Sequence, residues 1–294
     1  SVFDKELGED PEDDGEGNRT SYNFEPAKRK YNKSGKPRKP YVKRQKTEEE
    51  AATGKHNREI SACIEAAVGK RANYLSRHAK ALAPFVEAKV MDKIKAQSDA
   101  YVPSEKILAP IDNQPESIKA VLREYQLEGI RWMTRMFDDG CSCILADEMG
   151  LGKTLQTISL LGYLAEYRGI TGPHMVVVPK STLGNWMNEF KKWLPSCPVV
   201  LYHGSKADRL EMREKRLKRK FAKDLSFPVV VTSFEICMID RPFLENYAWQ
   251  YMILDEGHRI KNRSCRLVKE LKQIPSTSRL LLTGTPIQVT IFFV

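Results

Sequence analysis

One stretch restricts the fold of this chain more than any other: Asp147-Glu148-Met149-Gly150-Leu151-Gly152-Lys153-Thr154. An apolar run at 141–146 precedes it, and a segment with helical apolar spacing at 155–167 follows it. The order is strand, glycine loop, helix, with Lys-Thr at the turn. The backbone N–H groups of such a loop, and the positive end of the helix behind it, face an anion. Lys153 then reaches the terminal phosphates of a bound nucleotide, and the Thr154 hydroxyl ligates Mg²⁺. The general P-loop pattern carries Gly at its first place, where this chain has Asp147. A glycine turn without a ligand is the competing reading, and the strand-loop-helix context weighs against it.

A second constellation complements the first. Tyr251-Met252-Ile253-Leu254 runs into Asp255-Glu256-Gly257-His258. Four apolar residues ending in two carboxylates read as a buried parallel strand that delivers acids to its C-terminal edge, where open α/β sheets bind ligands. Asp255 is expected to hold Mg²⁺ through water, and Glu256 to orient or deprotonate an attacking water. In isolation an Asp-Glu pair after an apolar run is an ordinary strand end. Paired with Gly152-Lys153-Thr154 it reads as the second half of a phosphoryl-transfer site.

The 294 residues carry a net charge of +10, which suits a polyanionic partner. The six cysteines contain no C-x-x-C pair, and several lie in apolar runs, so they read as buried thiols in a reducing compartment. No apolar run has the length of a membrane span, and the expectation is a soluble intracellular protein without a membrane partner. A start at Ser1 suggests a fragment or a processed chain. The first part of the sequence differs from the rest. An acidic stretch at 4–16 and a Lys/Arg-rich stretch at 27–46 cannot bury a core, so 1–47 is expected to be a disordered tail, acidic then basic. The basic run is either a nucleic-acid contact or import address, or a solvated tail. Residues 48–116 read as a helical regulatory or linker region, with Ile60, Cys63, Ile64 and Val68 at helical spacing and a second helix at 84–97.

From 117 the pattern is α/β. Strands are expected at 143–146, 175–178, 199–202, 229–232, 251–254 and 280–283, and helices at 152–167, 183–194 and 206–223. Short apolar strands alternating with helices predict a mostly parallel sheet covered on both faces. The helix at 206–223 is intensely basic, but interleaved acids favour a solvated face over a DNA contact. Trp186, Trp193 and Trp249 are expected to pack in or near the core.

Residues Leu122-Arg123-Glu124-Tyr125-Gln126 with Gly129 and Trp132 resemble the adenine-reading segment of helicase superfamily two. Further stretches follow in order: 147–154, Val178-Pro179-Lys180-Ser181-Thr182-Leu183 with Asn185-Trp186, Thr232-Ser233-Phe234-Glu235, Asp255-Glu256-Gly257-His258, and Leu282-Thr283-Gly284-Thr285-Pro286. Together they resemble the first motor lobe of the Swi/Snf-type chromatin-remodelling ATPases. Within that family the 202–204 and 233–236 neighbourhoods look closest to the lymphoid-specific helicase group, and 179–183 also suits the imitation-switch group. The resemblance implies a single RecA-like P-loop lobe at 117–288, a parallel sheet flanked by helices, behind a partly disordered, partly helical N-terminal extension. It implies ATP and Mg²⁺ as cofactors, with Gln126 reading the adenine edge. It implies DNA phosphate contacts at Lys180, Thr232 and Ser233, where a helix cap or turn residue is the competing reading, and coupling of phosphate state to lobe movement through His258, Thr283, Gly284 and Thr285, where a structural histidine and an ordinary strand-ending turn compete. Duplex DNA, nucleosomes and remodelling-complex subunits are the implied partners, and the nucleus the implied location.

One departure stands out. After Gln288 the family continues into a second lobe, whereas here 289–294 reads Val-Thr-Ile-Phe-Phe-Val, an aberrant tail. Two expectations follow. Either the chain is a fragment of a DNA-dependent ATPase that repositions nucleosomes, binding nucleotide and DNA with little turnover by itself, or it is a non-catalytic truncated isoform acting as a regulatory or partner-binding module. An RNA helicase fragment is a third class, although such enzymes show Asp-Glu-Ala-Asp where this chain has Asp255 to His258.

Overall fold

In the computed structural model the described residues are 48–102, 112–217, 227–257 and 266–284. The expectations for the tails at 1–47 and 289–294, and for His258 and Thr285, lie outside them.

The apolar runs form strands β1 (Cys143–Leu145), β2 (His174–Val178), β3 (Val199–Tyr202), β4 (Val229–Ser233), β5 (Trp249–Leu254) and β6 (Ser276–Leu282). They make one sheet of order β1-β6-β5-β2-β4-β3 in which each neighbouring pair is parallel. Both faces are buried, as a parallel sheet requires. Alternate strand residues serve opposite cores. Val176, Val178, Val229, Val231, Ile253 and Leu280 meet one helical layer, while Met175, Val177, Val230, Met252, Leu254 and Leu281 meet the other.

Helices named in chain order are α1 (Glu48–Arg77), α2 (Ala79–Leu82), α3 (Ala88–Asp99), α4 (Glu124–Asp138), α5 (Lys153–Arg168), α6 (Leu183–Trp193), α7 (Lys206–Lys215), α8 (Phe234–Ile239), α9 (Arg241–Leu244) and α10 (Arg266–Gln273). The first layer takes α4, α5 and α6, through Ile130, Met133, Ile158, Leu161, Trp186 and Phe190. The second takes α8, α9 and α10, through Phe234, Cys237, Leu244, Val268 and Leu271. This is the α/β architecture expected, with a RecA-like lobe and a helical segment ahead of it.

Three differences from the sequence reading have physical causes. Strand β6 begins at Ser276, earlier than apolar content suggests, because the polar residues pair with β5 (Trp249↔Ser276, Tyr251↔Ser278). Helix α7 ends at Lys215 among the described residues, and its basic face is not wholly solvated. Arg209 is buried and donates to Asp240 at 2.6 Å, and Arg213 meets the same carboxylate at 2.7 Å. Finally, α1 rests against the lobe. The Arg71 guanidinium donates to the carbonyls of Gly140 (2.9 Å) and Thr277 (3.3 Å).

Candidate nucleotide site

Because neighbouring strands run parallel, their C-termini share one edge. β1 leads into the 147–152 loop and then α5, β5 delivers Asp255 and Glu256, and β6 between them delivers Thr283 and Gly284. The Thr283 N–H donates to the Leu145 carbonyl at 3.1 Å, and a side chain on Gly284 would touch Met149 at 3.4 Å. The segment assigned to coupling therefore lies against the glycine loop.

The loop conformation needs its glycines. Gly150 (φ +88°) and Gly152 (φ +82°) both occupy the left-handed region. At Gly152 a Cβ would also meet the Gln126 amide at 2.6 Å. That amide ties the loop to α4: Gln126 Nε2 donates to the Leu151 carbonyl (3.2 Å), and Oε1 accepts from the Arg123 N–H (3.0 Å). The Tyr125 hydroxyl donates to the same Leu151 carbonyl at 3.1 Å. Lys153 Nζ donates to the carbonyls of Asp147 (2.7 Å) and Glu148 (2.9 Å), so the ammonium lies over the loop. Thr154 follows in the first turn of α5.

The Asp147 carboxylate accepts from Gln156 Nε2 at 2.9 Å. A Cβ on Gly129 of α4 would meet the Gln156 amide oxygen at 2.2 Å, so a side chain there would require that amide to turn.

Directly after β5 the Asp255 carboxylate is gripped at both oxygens. Oδ1 accepts from the Glu256 N–H at 2.8 Å, and Oδ2 accepts from the Trp186 indole N–H at 2.9 Å. Burial raises the Asp255 pKa, while the Trp186 hydrogen bond and the Lys153 charge pull it down. Glu256 adopts φ +53°, a left-handed conformation that costs a non-glycine residue about 1 kcal/mol or more. Gly257 follows because Leu281 of β6 leaves no room for a Cβ, the nearest side-chain carbon lying 2.6 Å from its position. An ammonium, a glycine cradle at a helix start and hard oxygen donors from Thr154 and Asp255 are a donor set that suits a Mg²⁺-nucleotide.

The edge assigned to DNA divides. Lys180 is exposed at the start of a single 3₁₀ turn, Lys180–Thr182. Thr232 and Ser233 are fully buried. The Thr232 hydroxyl donates to the Tyr202 carbonyl at 2.8 Å, and the Ser233 hydroxyl accepts from the Ile236 N–H at 3.3 Å, capping α8. Their side chains serve the lobe's interior, and only Lys180 of the three presents its side chain outward.

Two residues of this neighbourhood carry no role in the sequence reading. Trp186 is core, as expected, but a buried indole N–H needs an acceptor, and that acceptor is an acid of the site. Gln156 reads as one more residue of α5 until its partner Asp147 is visible. Neither partnership follows from spacing.

The chain matches the model of the SNF2-related domain over residues 125–291. It is 50% identical over 175 residues to the ISWI chromatin-remodeling complex ATPase CHR17 of Arabidopsis thaliana, covering 60% of this chain and 16% of that protein. It is 49% identical over 168 residues to the human lymphoid-specific helicase, covering 57% and 20%. The lymphoid-specific and imitation-switch groups thus stand level, and these matches do not separate them. Among solved structures, the Sulfolobus solfataricus SWI2/SNF2 ATPase core in complex with dsDNA aligns at 34% identity with a TM-score of 0.53, covering 62% of this chain and 36% of that one. The chain spans a fifth or less of the length of these two curated relatives.

Proposed function

We propose, from the premise that this chain belongs to the SNF2-related domain family, that its lobe binds ATP with Mg²⁺ and is the first motor lobe of a DNA-dependent ATPase acting on chromatin. The observation that carries this reading is the meeting of the glycine loop and the paired acids on one sheet edge, with β6 between them joined to the loop strand through the Thr283 N–H and the Leu145 carbonyl.

In this reading the N–H groups of 148–154 and the start of α5 hold the phosphates. Lys153 exchanges its loop carbonyls for phosphate oxygens. Gln126 exchanges its bond to Leu151 for the adenine edge, since its amide offers both a donor and an acceptor. Thr154 and Asp255 hold Mg²⁺, which supplies positive charge against the phosphate oxygens when bound. Glu256, set by its left-handed backbone, orients the attacking water and takes its proton. Lys180 contacts a DNA phosphate, and Thr232 and Ser233 shape the surface around it from beneath. Thr283 and Gly284, with His258 and Thr285 beyond the described residues, link the loop to movement against a second lobe. Nucleosome repositioning, remodelling-complex partners and a nuclear location follow for the whole protein. Family membership favours duplex DNA over RNA as the activator.

A polypeptide of residues 1–294 tests this with a fluorescent ATP analogue and an ATPase assay. Wild type is expected to bind nucleotide, and Lys153→Ala to weaken binding at least about tenfold through lost charge-assisted bonds. DNA-stimulated turnover is expected to stay close to that of the variant, because the second lobe of such motors contributes an arginine worth roughly a thousandfold or more. Equal nucleotide binding by wild type and Lys153→Ala overturns the assignment of the site. Robust DNA-stimulated turnover overturns the expected dependence on a second lobe.

A further inference from the structure

We propose that Trp186 is a positioning residue for the metal-binding carboxylate: its indole N–H fixes Asp255 so that the remaining lone pairs present one geometry to Mg²⁺ and its waters. The inference rests on the nucleotide-site reading above and adds to it a residue from a different element.

Trp186 lies in α6, and its side chain is 1% exposed. Its neighbours in that core include Phe190, whose ring centroid is 6.1 Å away. Packing of this kind holds the ring plane, so the N–H direction is set by the core and not by the site. The hydrogen bond at 2.9 Å to Asp255 Oδ2 spans 69 residues of sequence. The other oxygen is held by the Glu256 N–H at 2.8 Å. With one donor on each oxygen, rotation of the carboxylate about its terminal bond would break both contacts. An acid that holds magnesium through ordered water loses affinity when its oxygens can turn, and outer partners of this kind commonly affect metal affinity by about tenfold or more.

The packing function of Trp186 and its N–H are separable. Phenylalanine keeps an aromatic ring and removes the donor. Fluorescent ADP binding to residues 1–294 is measured with Mg²⁺ and with EDTA, and the ratio of the two affinities is the readout. Wild type is expected to show a clear gain from Mg²⁺. Trp186→Phe is expected to lose most of that gain, while its affinity in EDTA stays within about twofold of wild type. If Trp186→Phe melts far below wild type, the same ratio is taken with benzothienylalanine at position 186, which keeps the indole outline and replaces N–H by sulfur. In the wild-type protein the Trp186 indole proton, identified by its loss in Trp186→Phe or on that replacement, is expected to shift when Mg²⁺-ADP replaces ADP in EDTA. A purely structural tryptophan would leave that resonance and the ratio unmoved. A gain from Mg²⁺ that survives removal of the N–H overturns this inference alone. Absence of nucleotide binding by wild type overturns the site reading and this inference with it.

Discussion

Among the described residues other than glycine, Glu256 alone has a left-handed backbone, and it directly follows the gripped carboxylate of Asp255. Strain of this kind persists where surrounding structure enforces it, here between the end of β5 and Gly257 packed on Leu281. The acids, the loop and Lys153 were legible in the sequence because each sits at the end of an apolar run or at a glycine. Trp186 and Gln156 were legible only as core and helix residues, because their polar partners come from other elements. A different residue gives a prediction free of the site. His174 opens β2, at the strand end opposite Asp255, and is buried. Burial pushes its pKa down to about 4 from the ordinary 6.5, and neither ring nitrogen has a hydrogen-bond partner among the described residues. The unfolded chain therefore takes up a proton from about pH 6.5, while the folded chain does so only near 4. Stability contributed by neutral His174 is complete above that window and falls as pH drops through it, by about 3 kcal/mol in all. Urea unfolding of wild type and His174→Leu between pH 7.5 and 4 checks this. The variant is expected to lose less stability on acidification by roughly that amount, and parallel curves would sink the assignment.

At the scale of elements, the strands were readable where both faces are apolar and less so elsewhere. Ser276 to Arg279 extend β6 because β5 offers them a ladder, a tertiary cause that no local propensity records. The seat of α1 is a stronger case. Helical spacing announces the helix, but its seat depends on Gly140 and Thr277, 69 and 206 residues from Arg71. Gly140 is required twice over. Its φ is +69°, and a Cβ would run into the Ala67 carbonyl of α1, which is backbone and cannot swing aside. Gly140→Ala is expected to cost about 2 kcal/mol or more, from the left-handed conformation and the displaced helix together. The loss should be local. Hydrogen exchange in the last turns of α1 is expected to accelerate well before that of β2 and β5, whereas unchanged protection in α1 would show that the contact does not hold it. Arg71→Ala should act in the same direction by about 1–3 kcal/mol, since two backbone carbonyls lose a partly buried guanidinium.

For the whole molecule, the position of the candidate nucleotide site was legible because a parallel sheet gathers its strand ends, so two motifs far apart in sequence had to share an edge. The surface assigned to DNA was less so. Thr232 and Ser233 sit at strand ends, as a phosphate contact would require, yet their hydroxyls are spent inside the lobe. The chain's charge of +10 is also a poor guide to geometry, because Arg209 and Arg213 are committed to Asp240. What distinguishes a specific phosphate contact from general attraction is the number of counterions released. Binding of residues 1–294 to a short duplex should therefore weaken linearly in log affinity against log salt. If Lys180 touches one phosphate, Lys180→Ala should reduce the magnitude of that slope by about one and weaken binding similarly on any duplex sequence. An exposed charge reversed elsewhere, such as Lys215→Glu, alters long-range attraction without removing a contact, so its slope should differ less from wild type. Lys215 already pairs with Glu211 on the surface of α7, which suits it as the control. Identical slopes for Lys180→Ala and wild type would mean that DNA meets this lobe somewhere other than the edge beyond β2, and the route from DNA to Asp255 would then have to start from another element.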